Sequence, residues 1–254
     1  MADLPGDAQL SARPIRQARL GISDLKVDIP SHVCLFYKDD AELRERLGFL
    51  ALTLDDPEQV AVLFGTDARL AEVLGYVAQD HRRDIASDMA AGRIVLVDGA
   101  PDVETIVAHI IGALDAALAR GAKLIRFLGF IGWGDMDWPP DQDLMTFEAK
   151  VTETLSKYPV LVLCSYNIEK LPGPVLIFAG IKTHPFTIIG TTLAKNPHYM
   201  PFEAYMASRS RPEPADEHTR ALRGVTIGPL DRGHRQSPVK ERGRSRDTPA
   251  RGSS

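Results

Sequence analysis

Short apolar runs recur along the chain between residues 32 and 190, and stretches with helical periodicity separate them. These runs are rich in Val, Ile, Leu and Phe and are mostly continuous, which is typical of strands buried on both faces of a parallel sheet. They occupy residues 32–37, 59–64, 93–97, 123–128, 160–166 and 186–190.

The stretches between the runs carry apolar residues at helical spacing. In residues 103–120, Ile106, Ile110 and Leu114 share one face, and Gly121 follows as a helix-ending glycine. The predicted helices cover residues 40–54, 67–79, 103–120, 143–157, 173–182 and 201–207. Strands alternating with helices give right-handed crossovers, so the sequence predicts an α/β fold, a three-layer sandwich around a mostly parallel sheet.

Both ends of the chain lack this pattern. Residues 1–30 contain three prolines and little periodicity, which predicts a flexible leader. The leader has no apolar segment of the kind that secretory signals carry. Residues 31–208 are the predicted α/β domain. Residues 209–254 have almost no apolar residues after position 230, which predicts a disordered tail.

Charge is unevenly distributed, although the net charge is only −4. Residues 209–254 carry 11 Lys and Arg against 6 Asp and Glu, whereas residues 1–208 carry 19 against 28. The basic tail can make salt-sensitive contacts with an acidic partner, but it lacks aromatic residues for base stacking, so no specific nucleic-acid binding is predicted.

Hydropathy and cysteine content indicate the cellular compartment. No stretch reaches 18 apolar residues without a break, so no membrane association is expected. Cys34 and Cys164 are too few for a disulfide framework. Without a secretory signal they are expected to be reduced thiols in a cytoplasmic protein.

The carboxyl ends of parallel strands are the expected place for a ligand. The longest segment there, residues 129–140, holds Trp133, Trp138 and three glycines. It suits a pocket wall or lid, or alternatively a surface loop that covers the sheet edge. Polar residues 165–167 lie at the exit of the fifth predicted strand and can supply further contacts.

Nucleotide binding of the usual kinds is disfavoured. The chain contains no G-x-x-x-x-G-K-[ST] motif, and its first predicted strand ends in Tyr37, Lys38, Asp39 and Asp40. Two aspartates at that turn would repel phosphate. Asp39 followed by Glu42 fits a helix capping box instead.

Metal ligation and covalent catalysis have weak signals. His32 and Cys34 point to one face of a strand, but the other histidines are scattered, so His32 is read as structural and no metal site is predicted. Cys164 lies within a Val and Leu run and behaves as a small hydrophobe. Glu148 on an amphipathic helix is expected to be solvated. An enzyme that uses Cys164 or Glu148 stays open as an alternative.

Several short motifs then occur in a characteristic order. They are HVCLFYKDD (32–40), the Gly-Trp loop, MTFEAKVTETL (145–155), YPVLVLCSYN (158–167), THP (183–185) and NPHYMP (196–201). This order resembles the MEDS domain, the sensory domain of the regulator of dichloromethane metabolism and of its methanogen and methylotroph relatives. The family-pattern residues are His32, Cys34, Tyr37, Glu148, Cys164, Tyr166, His184, Asn196 and Tyr199.

Two positions depart from the family pattern. Phe147 stands before Glu148 where the family has Tyr, and Ser165 stands where Gln is common. Either change alters the groups available to a ligand.

The resemblance implies a RecA-like fold without a functional phosphate loop, and a role in sensing small molecules, among them hydrocarbon derivatives. In a RecA-like order we expect the first predicted strand between the fourth and the fifth. That order would bring the ends at Tyr37, residues 129–133 and residues 165–167 together in an aromatic pocket with few polar groups, suited to a weakly polar ligand.

The sequence therefore predicts a non-enzymatic, stand-alone sensory domain. It would act on transcription or two-component signalling through a separate protein partner. The alternative is an interaction module of a kinase or sigma-factor pathway that binds no ligand. No cofactor is predicted, and a homodimer through the sheet edge is possible. The predicted ligand-binding residues are Tyr37, Gly129, Trp133, Glu148, Cys164 and Tyr166.

Overall fold

A computed structural model describes residues 15–22, 24–131 and 141–209 of the chain. Its strands are β1 (Gln17–Arg19), β2 (Lys26–Asp28), β3 (Ser31–Tyr37), β4 (Gln59–Phe64), β5 (Ile94–Val97), β6 (Leu124–Phe130), β7 (Val160–Asn167), β8 (Phe186–Ile189) and β9 (Thr192–Lys195). Its α-helices are α1 (Asp40–Arg44), α2 (Gly48–Leu54), α3 (Asp67–Asp80), α4 (Ile85–Ala90), α5 (Val103–Ala119), α6 (Asp141–Leu155), α7 (Gly173–Val175) and α8 (Phe202–Arg209). A π-helix, Leu176–Ile181, continues from α7.

Seven strands form the central sheet in the order β5-β4-β6-β7-β3-β8-β9. All neighbours are parallel except β8 and β9, which are antiparallel. The α/β class predicted from the continuous apolar runs is confirmed.

The predicted position of the first long strand is wrong. β3 lies between β7 and β8, the fifth and sixth strands of the predicted series, and not between the fourth and fifth. The fourth, β6, pairs directly with β7 from Ile125↔Val160 to Phe130↔Ser165, so no space remains between them. The end of β3 is therefore two strands away from Gly129.

Apolar layers cover both faces of the sheet. On one face, Leu35, Leu63 and Leu163 pack with the buried residues of α1, α2 and α3. On the other, Val62 and Val162 pack with buried residues of α5 and α6. Since successive side chains of a strand point to opposite faces, both parities must be apolar, which explains the continuous runs in the sequence.

The described part of the predicted leader is folded. β1 and β2 form a hairpin, and Ala18, Leu20, Ile22 and Val27 are buried in the core with α2. The buried guanidinium of Arg126 on β6 donates to the Arg19 carbonyl oxygen at 2.7 Å. The prediction of a flexible leader is therefore wrong for residues 15–22 and 24–30. The sequence pattern did not indicate this hairpin, because its three-residue strands are too short to show a clear period. Residues 1–14 lie outside the described residues.

A close backbone contact joins this hairpin to α2. The predicted helix 40–54 is two helices, α1 and α2, separated by residues 45–47. Gly21, at φ +82°, lies against Gly48 at the start of α2, and a Cβ atom on either glycine would collide with the other's backbone. No side chain fits between the two segments.

None of the helices within the described ranges is both long and apolar enough to cross a membrane. The predicted tail from residue 210 onward lies outside the described residues, and α8 ends at Arg209.

We expect Gly48→Ala to destabilise the fold by about 1 to 3 kcal/mol, because the new methyl group must displace the backbone of Gly21. Gly75→Ala is the matched control. Gly75 lies inside α3 with open space around an added Cβ, so the change should stabilise the protein by about 1 kcal/mol through helix propensity. Urea unfolding measures both. Equal effects from the two substitutions would contradict the contact.

Candidate functional site

A cluster of polar side chains is buried between the sheet and α6. His32 belongs to β3, Glu148 to α6, Cys164 to β7 and His184 to the turn before β8. None is more than 4% exposed. One donor atom of each lies within 4.8 Å of the donor atoms of the other three. Imidazole, carboxylate and thiol are the side-chain types that hold transition metals, so this cluster is where the described residues can hold one.

One carboxylate oxygen is central to the cluster. Glu148 Oε2 lies 3.4 Å from His32 Nε2, 3.6 Å from His184 Nε2 and 3.7 Å from Cys164 Sγ. His32 Nε2 lies 3.1 Å from Cys164 Sγ. The two imidazole rings are 3.9 Å apart, centre to centre.

A second ring of contacts orients these groups. Tyr166 donates its hydroxyl to Glu148 Oε1 at 2.5 Å. His32 Nδ1 lies 2.7 Å from the Thr152 hydroxyl. His184 Nδ1 lies 3.2 Å from the carbonyl oxygen of Ala179 in the π-helix. Glu148, His32 and His184 therefore each have a partner on their outer side, while their inner atoms face the other members of the cluster.

The local sequence explains why each of these side chains points towards α6 or the sheet. His32 and Cys34 share one parity of β3, and Cys164 and Tyr166 share one parity of β7, so these strands present them to the face that α6 covers. Glu148 and Thr152 are four residues apart on α6 and so lie on one side of the helix.

The π-helix brings the last member into place. An added Cβ at Gly180 would lie 3.0 Å from the Phe36 ring, so the glycine lets this helix pack closely on β3. Asn196 then donates its side-chain amide to the carbonyl oxygens of His184 and Ile181, which holds the turn that carries His184. π-helices are often found at functional sites.

Burial sets the protonation of the cluster. It raises the pKa of Glu148 above its usual value, and lowers the pKa of His32 and of His184 to about 3. Burial and the Glu148 carboxylate raise the pKa of Cys164 well above the usual range. In the absence of another bound group, Cys164 is a thiol at neutral pH and a poor nucleophile.

A cleft of about 570 Å³ lies at the carboxyl edge of the sheet, where a ligand was expected. Its walls come from the ends of β3, β6 and β7, from α3, and from the turn after β7. The lining residues are Tyr37, Thr66, Ala68, Arg69, Glu72, Phe130, Ile131, Asn167, Lys170 and Leu171.

Ion pairs balance the charge of Arg69 in this cleft. Its guanidinium contacts Asp40 at 2.8 Å and Glu72 at 2.5 Å, and donates to the Tyr37 hydroxyl at 3.2 Å. The Tyr37 hydroxyl proton remains able to donate to a ligand.

Acidic side chains occupy the turn after β3, where a phosphate loop would stand. Asp39 accepts from the backbone N–H of Glu42 at 2.8 Å, and the Glu42 carboxylate accepts from the backbone N–H of Lys38 at 2.9 Å. These contacts fill the helix N-terminus with carboxylates, as the predicted capping box implies.

The structure separates the predicted ligand-binding residues into two places. Glu148, Cys164 and Tyr166 meet in the buried cluster, and an added Cβ at Gly129 would lie 3.6 Å from Cys164 Sγ. Tyr37 lines the cleft and packs on the opposite face of the sheet. Trp133 lies outside the described residues.

Several of the family-pattern residues belong to the cluster or hold its members in place. His32 and His184 are members of it, and Cys34 is buried beside Cys164 as its register partner on β3. Asn196 holds the His184 turn, and Tyr199 donates its backbone N–H to the Asn196 carbonyl oxygen at 3.3 Å.

Glu148 was expected to be solvated, and this is wrong, since its residue is fully buried. An amphipathic pattern places a helix face but does not reveal buried partners such as His32 and Tyr166. Thr152 and Arg69 were not singled out. The four-residue spacing of Thr152 from Glu148 was the available signal.

Comparison with known proteins bears on the fold and the family. A structure search matches a KaiC-like protein from the hyperthermophilic archaeon Pyrococcus horikoshii OT3 with a TM-score of 0.51 and 14% identity, covering 68% of this chain and 80% of that one. This similarity shows a RecA-like α/β fold. A search of curated proteins found no match.

The family is shown by sequence. Residues 31–185 match the family described as the methanogen/methylotroph, DcmR sensory domain, abbreviated MEDS. The chain belongs to this family, and the family is one of sensory domains, which indicates a sensory or signalling role.

We expect Tyr166→Phe to destabilise the protein by about 1.5 to 3 kcal/mol, because a buried carboxyl oxygen of Glu148 loses its donor. Tyr158→Phe is the matched control, since its hydroxyl donates to Asp115 at an exposed position and its loss should cost less than about 0.5 kcal/mol. Urea denaturation of both variants measures the difference. Similar values for the two would argue against the Tyr166 contact.

Proposed function

We propose that this MEDS domain is a non-enzymatic sensor of a small, weakly polar molecule, and that the ligand binds in the cleft at the carboxyl edge of the sheet. The observation that carries the proposal is the cleft itself, about 570 Å³ in volume and formed where the ends of three parallel strands meet. Ligand sites of open α/β sheets occur at this edge, and their volumes fall in this range.

The chemistry of the cleft favours a ligand with little charge. Tyr37, Phe130, Ile131 and Leu171 supply aromatic and apolar surface. The Arg69 guanidinium is already paired with two carboxylates, so it offers little net attraction to an anion. The Tyr37 hydroxyl supplies a directional hydrogen bond. Hydrocarbon derivatives with one polar group fit this combination.

The proposed sensor does not catalyse a reaction on its ligand. Cys164, the nucleophile of the enzyme alternative, is a fully buried thiol whose pKa burial raises, and it is not among the residues that line the cleft. Glu148 is also buried outside the cleft. Neither group meets a molecule bound at the strand ends.

Signal output is proposed to pass through the helices beside the cleft to a protein of a transcriptional or two-component pathway. Arg69 on α3 joins Tyr37 at the end of β3 to Asp40 at the start of α1. A ligand that displaces this guanidinium favours a different arrangement of α1 and α3, and a partner that binds only one arrangement reads the change. The unpaired thiols of Cys34 and Cys164 support a reducing compartment, the cytoplasm.

Amide NMR of the full chain tests the ligand site. The compounds to titrate are dichloromethane, methanol and short alkyl alcohols, because these are small, uncharged and carry at most one polar group. We expect at least one to shift the amide signals of Tyr37, Phe130 and Asn167 in a saturable manner. No saturable shift with any compound would contradict the proposal.

Two tryptophan substitutions on α3 locate the binding. Ala68 is exposed and lines the cleft, so Ala68→Trp should fill the cleft and weaken binding by about tenfold or more. Ala71 is also exposed on α3 but does not line the cleft, so Ala71→Trp should leave affinity unchanged. If Ala68→Trp binds as the wild type does, the ligand site lies elsewhere.

A further inference from the structure

We propose that His32, Glu148, Cys164 and His184 form a binding site for a divalent transition metal ion, with Zn²⁺ as the ion that suits this donor set. The site is separate from the cleft at the carboxyl edge and does not depend on the ligand proposed for it. Its evidence is the convergence of four donor atoms, the orientation of both imidazoles, an unpartnered buried nitrogen and the balance of charge.

The distances fit a tetrahedral ion. With bonds of about 2.0 to 2.3 Å to nitrogen, oxygen and sulfur, the donor atoms of a tetrahedral zinc site lie about 3.3 to 3.8 Å apart. Four of the distances in the cluster are 3.1, 3.4, 3.6 and 3.7 Å, and no pair of the four donor atoms exceeds 4.8 Å. Small side-chain adjustments bring all six pairs into range.

Hydrogen bonds fix the tautomer of His184. Its Nδ1 lies 3.2 Å from the Ala179 carbonyl oxygen and 3.0 Å from the Thr183 hydroxyl oxygen. The Thr183 hydroxyl donates its single proton to the same carbonyl, so both neighbours accept and Nδ1 carries the proton. Nε2 then holds a lone pair and points at Glu148 Oε2, which also carries lone pairs. Nε2 is fully buried and has no hydrogen-bond partner among the described residues. A cation between these atoms would satisfy both.

Thr152 fixes the tautomer of His32 in the same way, with the proton on Nδ1. Its hydroxyl lies 3.1 Å from the carbonyl oxygens of Glu148 and of Thr183, and it donates its single proton to one of them. The hydroxyl oxygen therefore accepts from His32 Nδ1, and the lone pair of His32 Nε2 also faces the cluster. An N–H to oxygen contact on the outer nitrogen is the usual support of a metal-binding histidine.

The donor set balances the charge of the ion. A divalent cation with one carboxylate, one thiolate and two neutral imidazoles has no net charge, which a fully buried site requires. Binding converts the Cys164 thiol to a thiolate and releases its proton to water. Mg²⁺ and Ca²⁺ prefer oxygen ligands, so nitrogen and sulfur donors favour zinc and its transition-metal neighbours.

A small cavity lies on the outer side of His32. It has a volume of about 130 Å³ and lies at the amino end of β3, where His32, Thr152, Leu155 and Pro185 line it. Of the four proposed ligands, His32 is the one that lines this cavity.

The experiment uses Co²⁺ as a spectroscopic substitute for zinc in the full chain, freed of metal with a chelator. We expect one equivalent of Co²⁺ to produce a thiolate-to-cobalt charge-transfer band and the intense visible bands of tetrahedral cobalt, and one equivalent of Zn²⁺ to abolish them. Circular dichroism confirms that the metal-free chain is folded. A folded wild-type chain that gives no such bands overturns the proposal.

The two cysteines supply a matched pair of variants, because both are buried on the same face and are register partners on adjacent strands. Cys164→Ser should remove the charge-transfer band, whereas Cys34→Ser should retain it. Loss of the band in Cys34→Ser with retention in Cys164→Ser would assign the thiolate to the wrong strand and overturn the ligand set.

A third variant keeps every ligand and tests the support of His32. Thr152→Val removes the hydroxyl that orients the ring and should weaken Zn²⁺ binding by about 10- to 100-fold in competition with a chromogenic chelator. Unchanged affinity in a folded Thr152→Val protein would contradict the orientation argued for His32.

Discussion

Glu148 places a carboxyl group in the protein interior, where none of its surface is exposed to solvent. Neighbouring side chains therefore provide the polar contacts that water would make with an exposed carboxyl group. Tyr166 of β7 donates to one oxygen, while His32 of β3, Cys164 of β7 and His184 of the turn before β8 surround the other. A buried carboxyl group without such partners costs several kcal/mol, so the packing of α6 on the sheet and the position of the π-helix depend on these contacts.

The buried polar cluster and the cleft lie on different faces of the sheet. The face under α6 holds the polar cluster in its interior, whereas the opposite face and the carboxyl edge form the cleft around Tyr37 and Arg69. β3 and β7 contribute to both, because alternate residues along each strand point in opposite directions. Cys164 and Asn167, three residues apart on β7, thus belong to different sites. A metal ion at the cluster would stiffen the strands whose ends form the cleft.

The RecA-like fold of this protein lacks the glycine-rich phosphate loop that usually binds the phosphates of a nucleotide. Two residues separate β3 from α1, and Asp39 and Glu42 occupy the amide groups that a phosphate would need. A cleft lies at the same edge of the sheet, lined by aromatic and apolar side chains together with polar and charged ones such as Asn167, Lys170 and the ion-paired Arg69.

The sequence by itself determined the α/β class, most strands and helices, and the acidic turn after β3, because these follow from local periodicity and capping. Its family motifs also contained every member of the polar cluster. Only the tertiary structure decided that Tyr37 and Cys164 lie apart, that Glu148 is buried, and that β3 pairs with β7 and β8. Strand order and convergence are set by contacts between residues more than 100 positions apart in sequence, such as His32 with Glu148 and Cys164, and no local pattern records them.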